Sequence, residues 1–141
     1  MLLAGNLSLT TAQRETLTAW VKEGGMLIGI GGTSGLDDTF GVSGARRLAE
    51  SWIEVTAADH PLTAGLRSSL HVFGGYAVTP GPAASLAKVE SGRVKGTAIS
   101  EHCVGEGQAI LLAPDPGRCP QNTANDPYFR KRRKSQKRQP S

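Results

Sequence analysis

Cysteine is scarce in this sequence, and long apolar runs and evenly spread charge are missing from it. Two cysteines, Cys103 and Cys119, are too few for a disulfide framework. No charged-then-apolar leader opens the chain, so the expected compartment is the cytoplasm. No apolar run approaches the roughly 20 residues a helix needs to span a bilayer, and a membrane partner is not expected. His71, His102, Cys103 and Cys119 offer no pair at the spacing of structural zinc sites, so no metal and no other cofactor is expected. Acids are absent from Arg130 to Arg138, RKRRKSQKR, which holds seven of the sixteen basic residues. Residues 1–129 then keep nine bases against twelve acids. The net charge of +4 therefore describes the tail, and nucleic acid is expected as a partner only through Arg130 to Arg138, where Tyr128 and Phe129 could stack on bases.

What is present suggests one domain of 141 residues, loop-rich with eighteen glycines and eight prolines. The stretch Gly24 to Asp38, GGMLIGIGGTSGLDD, organises the rest. Met26 to Ile30 is short, apolar and bounded by glycines, as expected of a central parallel strand. Gly31 and Gly32 permit backbone angles that other residues avoid, and Thr33 and Ser34 add hydroxyls at the strand end. Such a turn suits an anion or a reacting carbonyl, and it equally suits a plain tight turn.

Before it, Met1 to Asn6 reads as the end of a strand, and Thr10-Thr11-Ala12-Gln13 has capping-box form. Leu17, Trp20 and Val21 follow on one helical face until Gly24-Gly25 stops the helix. This βαβ unit predicts parallel strands, with Asn6 beside Gly31 and Gly32. Leu36 to Gly41 reads as a short helix or loop, and Ala45 to Glu50 as a weak helix. Short β-like runs follow at Trp52–Val55, His71–Phe73, Tyr76–Val78, Ser85–Val89 and Gln108–Leu112, separated by turn signals. Beyond Pro114 periodicity stops, so residues 116–141 are expected to be a disordered basic tail behind a domain of residues 1–115.

LLAGNLSLTTAQRETLTAWVKEGGMLIGIGGTSG, WIEVTAADHPLTAGL and GEGQAILLAPD, in this order, resemble the class I glutamine amidotransferase-like domains. Within these the chain is most similar to the non-catalytic branch, the trimerisation domain of family 42 β-galactosidases and the ThuA-like proteins. The resemblance implies an α/β, flavodoxin-like fold with a mostly parallel sheet flanked by helices, here with a β-rich second half. It also implies a module for oligomerisation or association in a larger, carbohydrate-related protein. The family's opening βα unit and closing helix have no match, so a truncated or frame-shifted reading frame is expected. Active relatives carry Gly-x-Cys-x-Gly at the elbow, and Gly31 stands where that thiol would be, so no catalytic residue is expected. A small-molecule site, if present, would be lined by Asn6, Gly31, Gly32, Thr33 and Ser34.

Alternatives remain at single residues. Asp37 and Asp38 could form a base or metal pair, or cap the turn after the elbow. His60, before Pro61, could be a turn residue. Gly31 to Gly35 is also similar to the glycine-rich turn of short-chain dehydrogenases, although Asp37 and Asp38 would repel a dinucleotide phosphate. A ThuA-like hydrolase and a nucleotide-binding oxidoreductase are thus the rival readings.

Overall fold

The structure, a computed structural model, describes residues 1–66 and 69–115. The expected basic tail, residues 116–141, lies outside the described residues, and so do Cys119 and Arg130 to Arg138. In chain order the elements are β1 (Leu2–Ala4), α1 (Thr11–Lys22), β2 (Met26–Ile30), α2 (Asp37–Phe40), β3 (Val42–Arg47) and β4 (Glu50–Val55). They continue with β5 (Ser69–Phe73), β6 (Tyr76–Pro80), β7 (Ala84–Ser91), β8 (Val94–Val104) and β9 (Gly107–Leu112).

The first three elements form a βαβ unit in which Leu3 lies opposite Gly29 in parallel register. Helix α1 starts where the sequence suggests. The Gln13 amide donates to Thr10 Oγ1 at 3.1 Å, and the Thr10 amide donates to Gln13 Oε1 at 2.9 Å. Val21 is fully buried and Leu17 packs against the same core, whereas Trp20 lies against Gly25 and stays partly exposed.

Strand β2 pairs in parallel with β9 on its other side, Ile28 opposite Ile110. From β9 onward the sheet is antiparallel through β8, β7, β4 and β5, while β3 pairs with β6 and β6 with β8. A helix-flanked, mostly parallel flavodoxin-like sheet is therefore not what the chain builds. It is mostly strand, a curled mixed half-barrel sheet with few helices. The reason lies in connection length. A parallel crossover needs a dozen or more residues, but only Gly74-Gly75 separates β5 from β6, Gly92-Arg93 β7 from β8, and Gly105-Glu106 β8 from β9. The expected helix at Ala45 to Glu50 is likewise absent. Its residues are taken by the end of β3 and the start of β4, and pairing with β6 and β5 overrides local propensity.

Two cores result. One gathers Leu3, Val21, Leu27, Phe40, Ala109 and Leu111 between the parallel strands and the helices. The other gathers Leu48, Ile53, Val72, Leu86, Val89 and Ile99 inside the antiparallel part. The pleat sends Leu27 and Gly29 toward the helices and Met26, Ile28 and Ile30 to the opposite face. On that opposite face Leu2 is 57% exposed, Met26 is 48% exposed, and Ile28 and Ile30 are only half-buried.

Candidate functional site

The parallel strands β1, β2 and β9 end side by side. The Gly5 amide donates to the Ile30 carbonyl at 2.7 Å, and the Gly31 amide donates to the Leu112 carbonyl at 2.8 Å. The chain then turns through Gly31 and Gly32 at φ +80° and +145°, angles that favour glycine. Gly32 also has to be small, because a Cβ there would lie 2.7 Å from the Asn6 side chain.

Asn6, Gly31, Gly32, Thr33 and Ser34 are thus brought together, and the bonds among them define what the turn can do. The Ser34 amide donates to Asn6 Oδ1 at 2.9 Å, and Ser34 Oγ accepts from the Leu7 amide at 2.9 Å while donating to the Gly5 carbonyl at 3.3 Å. Thr33 Oγ1 donates to Asp37 Oδ1 at 2.5 Å. Both hydroxyls are buried and consumed inside the turn. Ser34 itself sits at φ +54°, the one non-glycine with positive φ among the described residues. Its three hydrogen bonds hold it in that strained region.

Two further residues reach the elbow that motif reading does not place there. The Asn6 amide group donates to Tyr76 Oη at 3.4 Å, and the Asp115 carboxyl lies 3.7 Å from where a Gly31 Cβ would stand. Asp115 comes three residues after the end of β9, so the rule that parallel strands end on one edge could have found it. Tyr76 arrives from β6, which no local signal connects to the elbow. Asp37 serves as the acceptor for Thr33, and the N-cap position of α2, Leu36, makes no side-chain cap bond.

The three histidines are engaged elsewhere. His60 Nδ1 accepts from the Leu62 amide at 3.1 Å, the turn role expected of it. Its Nε2 therefore carries the proton and donates to Glu101 Oε2 at 2.5 Å, while Gln108 donates to the other oxygen of Glu101. His102 Nδ1 donates to the Thr39 carbonyl at 3.0 Å. His71 bonds Glu50 at 2.7 Å and stacks on Trp52. Trp52 occupies the outward phase of Glu50-Ser51-Trp52-Ile53-Glu54, and that misplaced aromatic is the signal that sequence reading could have used. Among the described residues no three His, Cys, Asp or Glu side chains gather in a metal-binding group, and no helix is long and apolar enough to cross a membrane.

No protein-family model and no curated protein matches the sequence. Solved structures do match it in fold. A β-galactosidase from Bacillus circulans sp. alkalophilus superposes with a TM-score of 0.67 at 20% identity, over 82% of this chain and 20% of that one. A cytoplasmic protein from Salmonella typhimurium gives 0.64 at 16% identity, over 91% and 65%. A ThuA-like protein from Bacteroides uniformis gives 0.56 at 11%, over 82% and 60%. These likenesses show the fold, and the chain spans about a fifth of the β-galactosidase it matches.

Proposed function

We propose that the chain is a non-catalytic glutamine amidotransferase-like module that associates with further copies of itself, within a carbohydrate-related protein or complex. The observation that carries this reading is the open face of β1 and β2. All-parallel sheets occur almost only with both faces covered. In the parallel part of this mixed sheet, among the described residues, α1 and α2 cover one face of β1 and β2, while the other presents Leu2, Met26, Ile28 and Ile30. A second copy laid on that face would remove a contiguous apolar surface from water.

The elbow supports the non-catalytic half of the proposal. Gly31 offers no nucleophile, the Thr33 and Ser34 hydroxyls are bonded to Asp37 and to the Gly5 and Leu7 backbone, and the histidines bond partners elsewhere. The fold likeness to segments of β-galactosidases and of an exo-β-1,4-mannosidase supports the carbohydrate context. A cytoplasmic location is consistent with the low cysteine content and with similarity in fold to two proteins described as cytoplasmic. Light scattering on the full chain after size-exclusion chromatography tests the association. The expected result is a defined oligomer, and a monomer at every concentration would overturn it.

A further inference from the structure

At the other side of the strand order, far from β1, an outward cleft of about 270 Å³ lies over β4, β7 and β8. One wall is the indole of Trp52, 56% exposed. Register places Trp52 between His71 on β5 and Glu90 on β7. The imidazole of His71 covers one side of the indole, with ring centroids 4.2 Å apart and planes 11° from parallel. That imidazole also bonds Glu50 Oε1 at 2.7 Å and lies against Phe73, whose ring centroid is 4.4 Å away. With one side stacked on His71, the indole lines the cleft with its remaining exposed surface.

The remaining walls are polar and balanced in charge. Glu54 pairs with Lys88 at 3.3 Å and Glu90 with Lys95 at 3.4 Å, so the cleft carries two carboxylates and two ammonium groups. Both pairs are well exposed, and such pairs hold together only weakly. Their donors and acceptors are accordingly available to a ligand. An anion would meet two carboxylates and a cation two ammoniums, so neither sign of charge is favoured. A neutral ligand bearing many hydroxyls can donate to the carboxylates and accept from the ammoniums at once. If it also has a flat face of polarised C–H groups, that face is attracted to the electron-rich indole.

We infer that this cleft is a binding site for a neutral saccharide, one pyranose ring stacking on Trp52 and its hydroxyls reaching Glu54, Lys88, Glu90 and Lys95. The volume lies just below the usual lower limit for drug-sized ligands of about 300 Å³, which suits one ring rather than a long chain. The site depends on no oligomer, so its failure and the failure of the association reading are separate results.

The test uses the full chain with Trp20→Phe, which leaves Trp52 the sole tryptophan of the two present. Its fluorescence is followed during titration with galactose, mannose, glucose, lactose and cellobiose, with tetramethylammonium chloride and sodium phosphate as charged controls. Expected is a saturable change with at least one sugar, half-complete on the order of 1 mM. Calorimetry with that sugar should show affinity reduced at least about fivefold by Trp52→Ala and by Glu90→Lys, both at exposed positions. No saturable response to any of the sugars, a response to the charged controls alone, or undiminished binding in both variants would overturn the inference.

Discussion

At the scale of single residues, the elbow shows how a few contacts decide between a reactive turn and a tied one. Asn6 is exposed, yet its Oδ1 is the acceptor for the buried Ser34 amide. Asn6→Ala should lower stability by about 1–3 kcal/mol, because that amide would be left without a partner. Asn6→Asp, which keeps the acceptor, should recover most of the loss in the same urea denaturation. Gly29 makes the complementary point about space. A Cβ at Gly29 would lie 2.7 Å from the Phe40 ring, so Gly29→Ala should cost about 1–3 kcal/mol through overpacking. Combining it with Phe40→Leu should cost less than the sum of the two single changes if the ring is what Gly29 makes room for. The glycines at positions 31 and 32 were readable from sequence, since each stands where a strand must turn. Asp115 was within reach of the same rule, since it lies just past the end of a parallel strand, but Tyr76 was not, because a contact spanning seventy residues leaves no local pattern.

At the scale of elements, local signals were reliable where chemistry is local. The capping box of α1 is one such signal, and Thr10→Ala should reduce stability by about 1 kcal/mol by thermal melting, with Thr10→Ser close to neutral. The strands at Trp52, His71, Tyr76, Ser85 and Gln108 were also legible as short β-rich runs. Strand direction was the part misread. Gly92-Arg93 and Gly105-Glu106 each put a glycine with φ +58° first in a two-residue connection, an arrangement that matches the twist of an antiparallel hairpin. Extending the parallel βαβ rule past β2 ignored that such links cannot carry a crossover. Strand β8 carries no local signal of this kind. Val94 to Val104 mixes Lys95, Gly96, Glu101 and His102 among its apolar residues, and its buried middle has neighbours on both faces, so neither alternation nor an unbroken apolar run marks it.

At the scale of the whole molecule, two cores divide the labour. The parallel part, with its helices, holds the elbow and the open face; the antiparallel part holds the Trp52 cleft. On the proposed reading, a second copy docks on the open face of β1 and β2. Sedimentation equilibrium of the full chain beside Met26→Glu tests it most directly, since Met26 is exposed on that face and its substitution leaves both cores untouched. Expected are an oligomer for the parent chain and a dissociation constant raised at least about tenfold by the buried charge, with the monomer's melting little changed. An oligomer that Met26→Glu leaves equally tight, or a parent chain that stays monomeric throughout, would contradict it.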